Sequence, residues 1–319
     1  MDSLIKTSFQ IFSILLISLT ACQTDFEKIN PELTWENPDD IGVGIPLSET
    51  QLNASADVDG TFIYTPDIGT VLEEGDNQEL NVAFSPKYPS AFNDVSLTVS
   101  INVVNKGISD AVFNENFSYG IMADIDGNAY KTIKIGEQTW MAENLRTTHY
   151  RNGDPISNIT SNSQWVNLQT EAYSAYNNTE DLDELATFGL LYNWYAVSDP
   201  RNLAPEGWRV ATQADWDALI SELGGVNVAG SKLKEAGNTH WNPGSSGNNS
   251  SGFTALPSGR RQYTDGTFIN LNFNGFWWAN TANGADFSFY YQLNFDSNTI
   301  IAANFLRSAG YAVRCVKEE

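Results

Sequence analysis

The chain has 319 residues, 41% hydrophobic and 12% aromatic, which is enough apolar material for two packed domains. Its formal net charge is −22, and residues 23–118 carry 17 acidic against 3 basic side chains. Such a surface repels phosphate backbones and excludes nucleic acid as a partner, and two cysteines are too few for a disulfide framework.

Residues 1–21 have the build of a targeting segment. Lys6 supplies a basic start, weakened by Asp2, and a nine-residue apolar run from Ile11 to Leu19 is too short to span a bilayer as a helix. The segment closes Leu19-Thr-Ala-Cys22, which resembles the lipobox of bacterial lipoproteins. That resemblance implies cleavage before Cys22 and acylation of the new terminus, so that several chains hold the protein to a membrane. Asp25 and Glu27 are similar to the acidic export tract of lipoproteins displayed on the outer-membrane surface. The expectation is a polar lipidated tether over 22–32.

From 33 to 106 the pattern is that of strands. Leu80-Asn-Val-Ala-Phe84 alternates, and Val95, Leu97, Val99, Ile101 and Val103 keep a period of two. Asp59-Gly60, Gly69, Gly75-Asp76, Pro86 and Pro89 punctuate at intervals that suit a small β-sandwich. The stretch resembles the Ig-like modules of bacterial surface proteins, which implies a spacer between membrane and head. Without a cysteine pair its core must hold by packing alone.

Residues 107–123 read as a linker. The second domain, 124–317, opens on Asp124-Ile-Asp-Gly-Asn128. Spaced carboxylates before a glycine suggest a Ca²⁺ loop, but the EF-hand pattern wants Gly and Glu where this chain has Ala129 and Ile135. A turn feeding a strand is preferred, with a hairpin over 130–141 around Gly136-Glu137. Further on, Thr212 is placed to cap a helix, with Asp215 three residues later. Trp216, Leu219, Ile220 and Leu223 then form one apolar stripe, Trp208 and Val210 are its nearest partners, and Gly224-Gly225 ends the helix. A second helix is expected over 226–236.

Gly127-Asn-Ala-Tyr-Lys-Thr-Ile-Lys-Ile-Gly-Glu-Gln-Thr-Trp-Met-Ala-Glu-Asn-Leu145 resembles the opening of the Fibrobacter succinogenes major paralogous domain family. Later landmarks agree in order, among them Gly189-Leu-Leu-Tyr-Asn-Trp-Tyr-Ala196, Pro205-Glu-Gly-Trp-Arg-Val210, Ser251-Gly-Phe-Thr-Ala-Leu-Pro257 and Gly310-Tyr-Ala-Val-Arg-Cys-Val316. The resemblance implies a secreted or surface-anchored protein with an α+β, C-type-lectin-like head, and it assigns no chemistry. The Trp208-Arg-Val-Ala-Thr-Gln-Ala-Asp-Trp216 element is similar to one in formylglycine-generating enzymes, which share that fold.

No catalytic constellation stands out. Those enzymes use a cysteine pair holding copper, whereas the head has Cys315 alone, expected as a buried thiol on a last strand with Tyr311 and Val313. His149 and His240 are far apart and in no ligand spacing, and there is no Gly-x-Ser-x-Gly elbow or glycine-rich phosphate loop. Asp181, Asp183 and Glu184 are read as a solvated acidic loop rather than a glycosidase pair. The expectation is a non-enzymatic protein without cofactor or metal. Its partners are the membrane, through Cys22, and an extracellular glycan or protein bound by the head.

The loop 240–252, rich in Gly, Ser and Asn, lies where lectin-like domains carry ligand loops. The candidate contacts are Trp241, Arg260, Arg261, Tyr263, Trp277, Trp278, Asn280 and Tyr290, because flat aromatics beside directional polar groups suit sugars and peptides. Trp277 and Trp278 point to opposite strand faces, so that one buries and the other covers a loop or lines a groove. Ca²⁺-dependent sugar binding is disfavoured, since the Glu-Pro-Asn type tripeptide of such lectins is missing and Trp278-Ala-Asn280 replaces their Trp-Asn-Asp. The alternatives are an oxidase or hydrolase on the same scaffold and a structural surface component.

Overall fold

The computed structural model describes residues 27–166 and 168–318. The targeting segment 1–21 and Cys22 lie outside the described residues.

Alternation dictates the N-terminal module. Leu80, Val82 and Phe84 are buried on the Gly75–Pro86 strand, and Val99, Ile101 and Val103 on Val95–Val104, with Leu80 directly opposite Val99. Cross-strand apolar pairs of this kind stabilise a sheet that has no disulfide. Four strands run in the order Ile41–Gly42, Val95–Val104, Gly75–Pro86, Gly60–Thr65, and only the short first pairing is parallel. Trp35, Ile45, Leu47 and Leu52 close over the buried face.

The head is built on two five-stranded sheets. One runs Trp208–Val210, Cys315–Lys317, Gln138–Met141, Ala129–Ile135, Gly120–Ala123, and contains the expected hairpin with Gly136 at φ 59° in its turn. The other runs Phe268–Leu271, Ser258–Arg261, Asn274–Asn283, Phe287–Asn294, Ile300–Leu306. Helices are short and few, so the whole is a β-rich, multidomain chain.

Helix Gln213–Glu222 forms as its caps demand. Thr212 and Asp215 close a reciprocal capping box, and Gly224 and Gly225 follow at φ 95° and 97°. The stripe Trp216, Leu219, Ile220 and Leu223 is buried, but not on Trp208 and Val210. Those two sit in a separate core with Trp278, Tyr311 and Cys315, while the helix covers Trp140, Phe253, Trp277 and Tyr291. Trp216 stacks on Tyr291 at 4.8 Å between ring centres and meets Trp140 edge-on at 5.1 Å. The second helix is Val226–Leu233, three residues short of expectation, because Lys234 turns to extended backbone and bridges Ala255.

The linker expectation for 107–123 is corrected. Gly120–Ala123 is an edge strand of the head. Upstream of it the chain lacks periodicity because its amides pair with side chains rather than with a ladder. Ile108 N donates to Asp183 Oδ1 (2.8 Å), Asp110 N to Thr187 Oγ1 (3.2 Å) and Val112 N to Glu235 Oε1 (2.6 Å). Gly107, at φ 82°, passes so close to Leu182 that a Cβ would stand 1.9 Å from its carbonyl oxygen. His240 fastens this strap: its Nδ1 lies 2.9 Å from both oxygens of the buried Glu235, and its Nε2 2.9 Å from Asp110 Oδ1.

Candidate functional site

The aromatics singled out as ligand contacts are mostly core. Trp241, Trp277 and Trp278 are at most 1% exposed, and their indole N–H groups donate to Ala255 O, Asn144 Oδ1 and Tyr192 O. Trp277 and Trp278 do face opposite ways, but both faces of the Asn274–Asn283 strand carry a core, so neither lines a groove. Tyr290 is buried against Phe305 and Tyr311.

Arg261 is fully buried as well. It is stacked on Trp165 and Phe268 and spends its donors on Gly266 O, Ile159 O, Thr160 O and Asn162 Oδ1. These five residues are therefore corrected from ligand contacts to packing. Arg260, Tyr263 and Asn280 keep surface exposure. Arg260 and Tyr263 share the Phe305 ring, at 5.5 and 5.4 Å.

The remaining candidates resolve by their partners. Asp124 accepts from Asp126 N, Asn128 N, Asn128 Nδ2 and the Tyr130 hydroxyl, which makes the 124–128 stretch a turn feeding the Ala129–Ile135 strand. Cys315 is buried beside Tyr311 and Val313, and burial pushes its thiol well up, away from the thiolate that reacts. Asp181, Asp183 and Glu184 are not a loop. Asp181 caps helix Leu182–Phe188 by accepting from the amides of the other two. The 240–252 loop is tied down through Asn248 N to Ser231 O and Asn249 N to Lys234 O, with His240, Trp241 and Asn249 buried.

What lies open is the seam between the modules, which the turn at 124–128 helps to build. Gly42 N donates to Gly127 O at 3.0 Å, and Gly127, at φ 74°, brings its Cα so near that a Cβ would meet Asp40 O at 2.6 Å. On one side of this contact is a cleft of about 510 Å³, with Asp40, Thr50 and Gln51 from the first module facing His149, Arg151 and Glu206 from the second. On the other is a recess of about 350 Å³, where Lys106 meets Arg146, His149 and Tyr173 over a wall of Leu182, Leu185 and Leu190.

His149 borders both, and Asp126 orients it with Oδ1 at 2.5 Å from Nδ1. Burial works against the Asp126 charge, but the Thr148 amide and hydroxyl and then His149 outweigh it and hold the carboxyl below its usual range. Sequence reasoning singled out His149, without a partner, and the Asp124–Asn128 stretch, as a turn, but gathered neither into a seam. The other lining residues went unnoticed, because they come from segments scattered between 39 and 206.

The groups at the seam can hold a polar or charged ligand by hydrogen bonds over an apolar floor. The family model described as the Fibrobacter succinogenes major domain matches residues 133–317. No curated protein and no solved structure matches the chain. The matched segment takes in the Trp-Arg-Val-Ala-Thr-Gln-Ala-Asp helix start and the closing strand, and the chain belongs to the Fibrobacter succinogenes major domain family.

Proposed function

We propose that this protein is a non-enzymatic surface lipoprotein that binds an extracellular glycan or protein. Cys22 would anchor it to the outer membrane, the N-terminal module would act as an Ig-like stalk, and the second domain would be a C-type-lectin-like head. The observation that carries the binding role is the open cleft of about 510 Å³ at the module seam, lined by polar side chains from both modules. Ligand contact is thereby moved from the head's aromatics to residues such as Thr50, Gln51, His149 and Arg151.

The test is a binding screen of the full chain in detergent micelles against polysaccharides and envelope proteins, repeated with Thr50→Arg. A partner retained by the native chain and lost with Thr50→Arg supports the reading. No partner at all, or one indifferent to that substitution, overturns it. A hydrolase is the second reading, favoured by the Asp126–His149 pair, which fixes the imidazole as a general base would require. Turnover of an ester, peptide or glycoside that disappears in His149→Gln would select it.

A further inference from the structure

The recess behind His149 runs against the electrostatics of the rest of the chain. In a protein of net charge −22, it gathers Lys106 and Arg146 around one carboxylate, Asp126. That carboxylate is already engaged: Asp126 accepts from Thr147 Oγ1, Thr148 N and Thr148 Oγ1 and holds His149. It therefore does not pair with either cation.

Arg146 is 8% exposed. Its Nε donates to Asn128 Oδ1 and its Nη2 to Ala129 O, and the guanidinium lies 4.7 Å over the Tyr130 ring. Its Nη1 has no hydrogen-bond partner. A buried guanidinium N–H without an acceptor costs free energy, roughly 1–3 kcal/mol or more for a charged group, so an unfilled donor in a recess points to something that fills it. Lys106 faces it from the end of the first module, half-buried and in no ion pair among the described residues. Among the lining side chains two cations stand against one carboxylate, and the buried Glu143 offsets part of the Arg146 charge from behind the wall. So small a positive excess suits a monoanion, whereas a phosphate dianion would exceed it and be repelled by Asp126.

We propose that this recess binds the carboxylate of an acidic sugar, a uronate unit of an extracellular glycan. The carboxylate lies between Arg146 Nη1 and Lys106 Nζ. The half-buried Tyr173 ring and the Leu182, Leu185 and Leu190 wall offer the flat apolar surface that a sugar ring packs on. Because the recess is lined from both modules, the ligand also bridges them. The assignment rests on the binding role proposed above and adds to the cleft a subsite for an acidic unit, in the recess across the Gly42–Gly127 contact, with His149 bordering both.

The experiment is calorimetric titration of the full chain in detergent micelles with four probes: oligogalacturonate, a neutral gluco-oligosaccharide of equal length, an acidic peptide and inorganic phosphate. Oligogalacturonate should bind, weaken as salt is raised from 50 to 500 mM, and lose roughly tenfold or more in affinity with Lys106→Ala, a difference of about 1.4 kcal/mol. The half-exposed, unpaired Lys106 can be truncated without disturbing the fold, and an unchanged melting temperature checks this. Arg146→Lys should abolish binding, but if that variant unfolds, Lys106→Ala decides alone.

No uronate binding, uronate binding indifferent to Lys106→Ala, or equal binding of the peptide or phosphate overturns the proposal. A neutral saccharide bound as well as the uronate, and lost with Thr50→Arg, would overturn the acidic-sugar assignment while leaving the broader binding role standing. Failure of every probe and every partner in the screen would remove both.

Discussion

His240 offers the sharpest test of how the strap is held. Glu235 is fully buried, and its carboxylate is met by His240 Nδ1 and by Val112 N. His240→Ala would leave that charge buried with one amide donor, and breaking a buried pair in this way costs about 3–5 kcal/mol, a large share of a typical folding free energy of ~5–15 kcal/mol. Burial opposes the charge on His240, but the hydrogen bonds and charges of Glu235 and then Asp110 outweigh it and raise its pKa above the ordinary histidine value. Only the imidazolium can donate from both nitrogens at once.

For a raised group, the stabilisation is fully present below the unfolded pKa of about 6.5 and is lost as pH rises through the higher folded value. Asp110 runs the other way. Burial would raise its carboxyl, but Thr187 and then His240 outweigh that and depress it, so its contribution is present above about pH 4 and fades on acidification. The clamp is therefore tightest in the mildly acidic window between the two.

Urea unfolding followed by tryptophan fluorescence, paired with hydrogen exchange at the Val112 amide, reads both effects. Val112 protection should fall as pH rises above about 6.5 in the native chain, and His240→Gln should remove that dependence. The reasoning fails if His240→Ala costs less than about 1 kcal/mol, or if the Val112 protection factor stays constant as pH rises above about 6.5.

Two further outcomes follow from groups the head buries. Lys234 is fully buried, with Nζ 2.8–3.0 Å from the carbonyl oxygens of Asn294, Phe295 and Ser297. Lys234→Met should destabilise by roughly 3 kcal/mol or more, since each buried acceptor left unpaired costs about 1–3 kcal/mol, and Lys234→Arg should not restore it in a denaturant titration. Cys315, buried with its pKa pushed up, should resist iodoacetamide at pH 8 in the native chain and label fully in urea; labelling at equal rates in both would contradict the packing.

The parts of the fold legible in the sequence are those that local chemistry decides. The capping box of Thr212 and Asp215, the hairpin around Gly136 and the alternation from Leu80 to Phe84 each follow from residues within a few positions of one another. The fate of Trp277 and Trp278 does not, because period two says only that they face apart, and whether a face is covered depends on Trp216 and Tyr311, distant in the chain. Arg261 reads as a surface cation until Ile159, Thr160 and Asn162 supply its acceptors about a hundred residues upstream. Residues 108–112 look like slack chain for the same reason, since side-chain acceptors leave no periodic mark. The seam is illegible as a site because Lys106, Arg146 and Tyr173 belong to different modules or elements and share no motif.

The strap also governs how the molecule responds to pulling. Were the N-terminal module held fast and the second domain dragged away, the load would fall on the Gly42–Gly127 contact and on the strap, where it would arrive first at Ile108. It would have to peel Ile108 from Asp183, then Asp110 from Thr187, then Val112 from Glu235, one bond after another. Sequential peeling yields by small steps at modest force, so the junction would behave as a shock absorber that re-zips when the drag subsides.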